Sequence, residues 1–393
     1  MHKKSPVNVR GVALVSGAHV VDDFYQGVIP ALLPFLVSER HYSYAAISGI
    51  TLAATVLSSV AQPAFGVLAD RRSRRWMVPA GLLLAGIGAS VAGLMPSYAL
   101  TWLVVAASGL GVAAFHPEAA RSARQAAGNS NTAMSVFALG GNAGYALGSL
   151  VTTPVLLWFG VHGTGLLVLP AAVMALILSR TLNHTLDHRE EHRARSRLPS
   201  GQDDWPAFLT LTTIVVIRSI FFFGITSFIA LYFINHFGST KATAGAALTI
   251  FLVTGALGTL LGGWLGDHFS PIVSIRSGFA LAIPALAGTL LAGSTPVALV
   301  CIAVTGIATY IPFSVFVLLG QNYLPSRIGT ASGVTVGLAV SIGGLANPVL
   351  GWFADTTSLR MALTVLLVFP ALALVVSAFL RMPKPSDDQD LSA

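Results

Sequence analysis

The sequence is divided into long apolar runs that are too numerous for the interior of a water-soluble domain. Charged residues make up only 9% of the 393 residues, against about 25% in soluble domains. A helix that crosses a bilayer needs about 20 mostly apolar residues. The runs that meet this requirement are 11–36, 44–69, 77–95, 99–119, 132–158, 162–181, 207–236, 243–266, 273–292, 296–319, 330–353 and 360–381. We therefore expect an all-α membrane protein with twelve transmembrane helices.

One short motif occurs twice, half a chain apart. Gly66 and Asp70 stand at the end of the second run, and Gly263 and Asp267 stand at the end of the eighth. The two copies are separated by 197 residues, which indicates two pseudo-symmetric six-helix halves. The predicted organisation is an N-terminal half over 1–181, a basic cytoplasmic linker over 182–206, a C-terminal half over 207–381 and a cytoplasmic tail over 382–393.

The positions of lysine and arginine predict the orientation of the chain. With the N-terminus inside, the inner segments hold 18 of the 22 basic residues, the outer loops hold 3, and Arg218 lies within a span. Cytoplasmic loops carry the excess of Lys and Arg in membrane proteins, so both termini are predicted to be cytoplasmic. This bias also accounts for the net charge of +7. The lipid bilayer is therefore the expected surrounding, and no nucleic-acid partner is expected.

Several motifs resemble those of a known family. The segment Gly66-x-Leu68-Ala69-Asp70-Arg71-x-x-Arg74-Arg75 resembles the signature between spans two and three of major facilitator superfamily transporters, with Ser73 in place of the usual glycine. Other motifs are similar to those of the fosmidomycin-resistance branch of bacterial drug exporters. These motifs are His19-x-x-x-Asp23, Pro30-x-Leu32-Leu33-Pro34, Phe115-His116-Pro117-Glu118 and Arg218-Ser219.

The resemblance implies a secondary active transporter of the bacterial inner membrane that functions as a monomer. Such a protein exports a small drug such as fosmidomycin by alternating access, in exchange for protons. The alternative that stays open is a proton-coupled symporter that imports an organic or phosphorylated anion. The chain has no Gly-x-x-x-x-Gly-Lys-Ser/Thr fingerprint and no catalytic constellation. We therefore expect neither ATP coupling nor an enzyme, and the proton is the expected coupling ion without any other cofactor.

Span one carries two acids near its middle. The polar residues on one helical face, at spacings i, i+3, i+4 and i+7, are His19, Asp22, Asp23 and Gln26. A carboxylate at this depth costs several kcal/mol unless it is protonated, paired or hydrated. We predict that this face binds protons or substrate. The alternative is a static His–Asp hydrogen bond, and the spacing does not decide which aspartate binds the proton.

Arg218 is the only cation deep inside a predicted span, because Arg180, Arg276, Arg360 and Arg381 lie within four residues of a span end. It lies in span seven at a depth similar to that of Asp22 and Asp23. Its planar guanidinium suits a phosphonate or carboxylate, so the small-molecule substrate is expected to include anions. Arg218 could instead pair with an acid of span one. Asn142 and Tyr145 of span five are further candidates for the cavity.

A second group of candidates lies at the predicted cytoplasmic rim, where it would form a gate between the halves. The members are Gly66, Asp70, Arg71, Arg74, Arg75, His116, Glu118, Arg121 and Asp267. Acids at helix ends can pair with arginines of other helices, and such pairs break when the rim opens. The alternative is that the arginines only orient span two. Pro117 is expected to interrupt span four, and His116 with Glu118 lacks further ligands for a metal site.

Span five contains three glycines at a spacing of four residues, Gly140, Gly144 and Gly148. Small residues on one face of a transmembrane helix let a neighbouring backbone approach closely. We therefore expect span five to pack tightly against another helix of the bundle.

Overall fold

In a computed structural model, residues 7–71, 74–127, 131–185, 202–327, 331, 334–335 and 339–382 are described. Within these ranges every regular element is a helix, which confirms the expected all-α class. The helices are α1 Val9–Arg40, α2 Tyr44–Arg71, α3 Met77–Val91, α4 Tyr98–Ala127, α5 Asn131–Phe159, α6 Val168–Thr185, α7 Trp205–Phe237, α8 Lys241–His268, α9 Pro271–Leu291, α10 Thr295–Tyr310, α11 Phe313–Tyr323, α12 Ala339–Thr356, α13 Leu359–Val365 and α14 Val368–Ser377. Short 3₁₀ segments cover Ala92–Leu94, Gly160–Leu167 and Pro325–Arg327.

Ten stretches of the described residues are long and apolar enough to cross a membrane. One of them, Val136–Leu182, is 47 residues long and contains both α5 and α6, which are two predicted spans. The tenth and twelfth predicted spans are each formed by two consecutive helices, α10 with α11 and α13 with α14. The eleventh coincides with α12, although part of its predicted first turns lies outside the described ranges. Each predicted span therefore coincides with helical structure.

α1 and α7 begin and end in the same way. The side chains of Asn8 and Asp204 cap their first turns by accepting backbone N–H groups. α1 ends at His41 with a φ of 56°, and α7 ends at Gly238 with a φ of 61°, so both helices stop in a left-handed residue. His41 and Gly238 are 197 positions apart, as in the repeated motif. These shared helix boundaries agree with a duplicated chain.

Several helices continue beyond the predicted ends of their spans, and the extensions of α6 and α4 matter most for the site. α6 reaches Thr185, past the predicted boundary at 181, while linker residues 186–201 lie outside the described ranges. α4 continues through Pro117 to Ala127, so the prediction that Pro117 interrupts span four is wrong. A proline removes one backbone donor from a helix, and in a membrane bundle the neighbouring groups can satisfy the freed carbonyl. Because α4 is continuous, residues 116–121 are helical and lie within α4, not in a loop at its end.

α5 packs along α1 through the expected row of glycines. Gly140, Gly144 and Gly148 each face a backbone carbonyl oxygen of α1. In order, these carbonyls belong to Ser16, Val20 and Phe24. A methyl group at Gly140 would lie 2.8 Å from its carbonyl oxygen, and at the other two positions it would overlap. The small residues therefore set the distance between the two helices.

The helices before and after the linker meet through α2 with α12, α5 with α8 and α1 with α7. The carboxylate of Asp355 at the end of α12 accepts hydrogen bonds from the backbone N–H groups of Tyr44 and Ala45, each at 2.8 Å. Lys241 of α8 lies 3.7 Å from the carboxylate of Glu39. Both contacts lie at the end of the bundle that the charge distribution predicts to be extracellular. They connect the N-terminal and C-terminal helices at that end.

Replacing Asp355 with Ala should make the predicted extracellular end open more readily. We call the interface between the helices before and after the linker the seam. The change removes a cap of α2 that comes from α12, across the seam, and loss of a cap costs about 0.5–2 kcal/mol. We expect a roughly 2- to 30-fold shift of the opening equilibrium. The measurement is the rate at which an impermeant maleimide labels a cysteine placed at the buried Ser48, after Cys301→Ala.

Asp203→Ala is the matched control for this experiment. The carboxylate of Asp203 accepts comparable hydrogen bonds from the backbone N–H and hydroxyl of Ser326, at 3.1 and 2.6 Å. Both residues belong to the same side of the seam, so the control should not change labelling. An unchanged labelling rate in Asp355→Ala would show that this cap does not hold the seam closed.

Gly144→Ala should weaken the packing of α1 on α5. The added methyl group overlaps the Val20 carbonyl, and overpacking of this kind costs about 1–3 kcal/mol. Thermal unfolding of the purified protein is the measurement, and a lower midpoint is expected. Gly263→Ala is the control, because a methyl group there meets no atom of the described residues within 4 Å. Equal midpoints for the two variants would contradict the proposed role of the glycine row.

Candidate functional site

The polar face of α1 meets a histidine of α4 near the middle of the helix. Asp23 is the centre of the group. Its two carboxylate oxygens lie 3.4 Å from Nε2 of His19 and 3.4 Å from Nε2 of His116, and Gln26 donates to it at 2.5 Å. Asp22 lies on the other side of the same imidazole, 3.4 Å from Nδ1 of His116. We call these five residues the acid–histidine cluster.

The structure brings His116 into this cluster, whereas the sequence predicts it at the cytoplasmic rim. The prediction ends span four near residue 119, but α4 continues to Ala127. His116 therefore lies more than two helical turns before the end of α4 and faces the acids of α1. We accordingly place His116 with the candidate cavity residues and not with the gate.

Backbone carbonyls orient both imidazole rings. Nδ1 of His19 lies 2.8 Å from the Phe137 carbonyl, and Nδ1 of His116 lies 3.0 Å from the Val112 carbonyl. Because a carbonyl only accepts, we assign the Nδ1 proton in each ring. Both Nε2 atoms then face Asp23 with a lone pair unless a proton is added. The cluster therefore contains three adjacent acceptors that can share protons.

The same cluster offers ligand types that suit a metal ion. His19, Asp23 and His116 place one ligand atom each within 4.8 Å of one another, although the sequence predicts no metal site. Nitrogen and carboxylate oxygen are common ligands of divalent transition metals. Metal dependence is therefore a necessary control in any test of proton coupling at this cluster.

Asp22 is the most enclosed acid of the described chain. Its exposure is 0%, and neither carboxylate oxygen has a hydrogen-bond partner among the described residues. The contact with His116 at 3.4 Å offsets only part of the several kcal/mol that a buried carboxylate loses with its hydration. Protonation removes that cost, so this position is suited to binding and releasing a proton.

Arg218 lies in a separate environment on α7. Its guanidinium is stacked between aromatic rings, with Cζ 4.9 Å from the centre of Phe222, 5.1 Å from Tyr310 and 5.1 Å from Phe313. Nε donates to the carbonyl of Thr309 at 3.2 Å. Among the described residues, the ion pairs do not include Arg218. The expected alternative of a salt bridge with a span-one acid is therefore not formed in this structure.

The candidates of α5 connect the two environments. Gly141 faces the acid–histidine cluster, because an added methyl group would lie 2.5 Å from Asp23 and 2.7 Å from His19. Asn142 follows it on the helix and is half-buried. The ring of Tyr145 lies 5.9 Å from that of Phe222 on α7. Tyr145 therefore reaches the aromatic group around Arg218.

Several contributors to these environments were not singled out by the sequence. Phe222 follows Arg218 by four residues, so helical periodicity alone could have placed it on the same face. Phe137, whose ring stacks on His19 at 4.2 Å, and Phe313 carry no such signal. Their roles depend on which helices pack together, and this pairing is absent from the local sequence.

The remaining predicted gate residues belong to α2, α4 and α8 and to the segment before α3, towards the predicted cytoplasmic end of the bundle. Arg75 is buried and donates to Gln125 of α4 at 3.1 Å. Glu118 lies 4.0 Å from Arg121 within α4. Arg74 is half-buried and Asp267 is exposed at the end of α8. Asp70 and Arg71 belong to the last turn of α2, and their side chains lie outside the described part of the chain.

The two glycines of the repeated motif share one property. Among the described residues, a methyl group added at Gly66 or at Gly263 would meet no atom within 4 Å. The glycine row of α5 behaves in the opposite way, since each added methyl group there meets the backbone of α1. Neither motif glycine is needed for close packing in the conformation described.

The chain belongs to the Major Facilitator Superfamily, whose family profile matches residues 15–348. It is 29% identical to the uncharacterized MFS-type transporter YfnC of Bacillus subtilis (strain 168), over 98% of this chain and 96% of the relative. It is also 29% identical to the fosmidomycin resistance protein of Escherichia coli (strain K12), over 92% of this chain and 90% of the relative. These matches confirm the resemblance found in the motifs.

Two further similarities concern part of the sequence and the fold of nearly the whole chain. A probable nitrate transporter, NarT of Staphylococcus aureus, is 29% identical over 37% of this chain and 38% of its own length. A bacterial homologue of the human lysosomal transporter Spinster, in an inward-facing and occupied conformation, superposes with a TM-score of 0.80 at 16% identity. That alignment covers 96% of this chain and 97% of the other. The chain is thus a multi-pass membrane protein of a transporter family.

Proposed function

We propose that this protein is a proton-coupled exporter of a small drug such as fosmidomycin. It works by alternating access in the bacterial inner membrane, as a monomer with both termini in the cytoplasm. The proton is its coupling ion, and no other cofactor takes part. The resemblance to the fosmidomycin resistance protein over most of both chains supports the direction and the class of substrate.

The acid–histidine cluster is the observation that carries the proton coupling. It places two carboxyl groups and two imidazoles in contact near the middle of α1, where unpaired charge is costly. Transporters use chains of Asp, Glu and His in the membrane as proton relays. A static His–Asp hydrogen bond would explain one of these contacts but not the Asp22–His116 pair beside it.

Proton binding at the cluster can be transmitted to the helices that form the seams. A proton on Asp22 removes the negative charge that faces His116 and so weakens the attraction between α1 and α4. α1 also packs on α5 and α7, and α5 contacts α8 across the seam through Ser149 and Thr249, whose hydroxyl oxygens are 3.1 Å apart. A small shift of α1 therefore changes the packing of the two sides, as rocking motions require.

Asp23→Asn should remove the dependence of drug transport on a pH gradient. The amide keeps the size of the side chain but cannot exchange a proton with either imidazole. Coupling free energies of about 1–3 kcal/mol correspond to 5- to 150-fold effects, and we expect a loss in this range. The measurement is fosmidomycin flux in proteoliposomes with an imposed pH gradient, with and without a metal chelator.

Asp203→Asn serves as the control, because Asp203 bonds to Ser326 near the end of the bundle, away from the cluster. It should keep gradient-driven flux. Wild-type flux that ignores the gradient would exclude proton coupling. Flux that the chelator abolishes would instead assign the cluster to a metal ion.

A proton-coupled importer of an organic or phosphorylated anion is the second candidate. The similarity to a probable nitrate transporter and the buried Arg218 favour this alternative. Overexpression in a drug-sensitive bacterium distinguishes the two directions. An exporter raises tolerance to fosmidomycin, whereas an importer of the drug lowers it.

We further propose that Gly66 serves the conformation in which the cytoplasmic rim is closed. No atom of the described residues lies within 4 Å of a methyl group added there, and the small residue would permit close approach of α2 in another state. The same argument applies to Gly263 in the repeated motif. The rim arginines and Glu118 are the polar groups available to hold that closed state together.

Gly66→Leu should reduce transport without reducing stability. Leucine is a better helix former than glycine, and it has room in the open rim. In the closed rim it would overpack by about 1–3 kcal/mol, which disfavours that state by roughly 5- to 150-fold. The measurements are fosmidomycin flux and the thermal unfolding midpoint.

Gly293→Leu is the matched control, because its surroundings are equally open and it lies in a predicted outer loop. It should leave both flux and midpoint unchanged. Wild-type flux in Gly66→Leu would refute the proposed role of Gly66 in rim closure.

A further inference from the structure

Arg218 is a buried cation with an unused hydrogen-bond donor. Its exposure is 5%, and Nη2 has no hydrogen-bond partner among the described residues. Nε is already bonded to the Thr309 carbonyl, which fixes the plane of the guanidinium. The remaining donor edge is therefore oriented but unsatisfied.

The charge of Arg218 is only partly compensated by its neighbours. Three aromatic rings stabilise the guanidinium through cation–π contacts at about 5 Å. The ion pairs of the described chain leave it without a carboxylate. Burial of a cation without a carboxylate partner is costly, so an anion that completes its surroundings would bind favourably.

The break between α10 and α11 shapes this site. α10 ends at Tyr310 and α11 begins at Phe313, so carbonyls at the end of α10 lack intrahelical partners. One of them, from Thr309, is the acceptor that orients Arg218. The N-terminal end of α11 carries partial positive charge and begins at Phe313, whose ring contacts the guanidinium. The helix break thus supplies the carbonyl that orients Arg218, while the opposed dipole ends of α10 and α11 largely cancel.

We propose that Arg218 binds a small organic anion with a single negative charge, either a carboxylate or a singly ionised phosphonate. Its anionic group bonds to the free edge of the guanidinium, and its apolar body packs on Phe222 and Tyr310. Tyr145 of α5 lies beside Phe222, so the ligand contacts both sides of the seam. This inference rests on the proposed function, since it takes the space between the two sides as the substrate site.

The surroundings of Arg218 favour a ligand with one negative charge over a ligand with two. Arg218 is the single full cation of this aromatic group. Tyr145, whose ring lies 5.9 Å from that of Phe222, follows Gly141 by about one helical turn, and a methyl group added at Gly141 would lie 2.5 Å from Asp23. A second negative charge on the ligand would have no further cation to pair with, and it would be repelled by the acid–histidine cluster. A monoanion leaves the site neutral.

The proposal is tested by ligand binding to the purified protein, without a gradient or transport. Benzoate, neutral benzamide and phenylphosphonate are compared through their effect on the thermal unfolding midpoint. Benzoate should raise the midpoint and benzamide should not. Phosphoryl groups take their second charge near pH 6, so phenylphosphonate should stabilise the protein more near pH 5 than near pH 8.

Arg218→Met and Arg218→Lys separate a ligand site from a structural role. Methionine removes an uncompensated charge while keeping apolar bulk, so the ligand-free variant should unfold at a higher temperature than the wild type. Benzoate should not change the unfolding midpoint of this variant. Lysine keeps the charge but not the planar edge, and it should bind benzoate at least about tenfold more weakly. Phe222→Leu keeps Arg218. This variant should bind benzoate more weakly than the wild type but should still prefer benzoate to benzamide.

The outcomes distinguish this inference from the proposed proton coupling. Equal effects of benzoate and benzamide, or a lower ligand-free midpoint in Arg218→Met, would show that Arg218 is structural and would overturn the inference. Benzoate binding that depends on Arg218, together with drug flux that ignores the pH gradient, would exclude proton coupling but retain the anion site.

Discussion

The structure depends on how charge is accommodated where no water is available. Most charged side chains lie at the ends of helices, and the bundle interior holds few. Among the described residues, the exceptions include the acid–histidine cluster on α1 and α4 and Arg218 on α7, and Glu118 and Arg75 are buried as well. Each exception must be compensated by hydrogen bonds, by aromatic rings or by a bound species, because bare charge at this depth is costly. The candidate site therefore consists of charged groups that lie in the interior of the bundle and not at the helix ends.

The acid–histidine cluster and Arg218 lie on helices before and after the linker and use different chemistry. The positions that correspond at the repeat distance of 197 residues are Asp22 with Ser219 and Arg218 with Val21. The helix ends at His41 and Gly238 are repeated at this distance, but Asp22 and Arg218 are not. The N-terminal side thus holds the groups suited to protons, while the C-terminal side holds the group suited to an anion.

The contacts between the two sides are of two kinds. Exposed polar pairs join Asp355 to the start of α2 and Lys241 to Glu39, and pairs of this kind are individually weak. Close packing also crosses the seam, because methyl groups added at Gly344 and Gly351 of α12 would overlap Thr55 and Ser48 of α2. The glycine row between α1 and α5 is the corresponding close packing inside one side. Both kinds of contact would have to change if the two sides move relative to each other.

The sequence by itself determined the class of structure. Hydropathy predicts the helices, the repeated motif predicts the duplication, and helical spacing puts His19, Asp22, Asp23 and Gln26 on one face. These are local properties, since they depend on residues within a few turns of each other. The same reasoning placed His116 at the rim, because it could not foresee that α4 continues through Pro117.

Only the tertiary structure decided which groups meet. The pairing of α1 with α4 brings His116 between Asp22 and Asp23, and the break between α10 and α11 brings Thr309, Tyr310 and Phe313 to Arg218. The sequence allowed Arg218 to pair with an acid of span one, but the packing surrounds it with rings. Contacts between distant segments depend on the distance and rotation of whole helices, and no local pattern records these quantities.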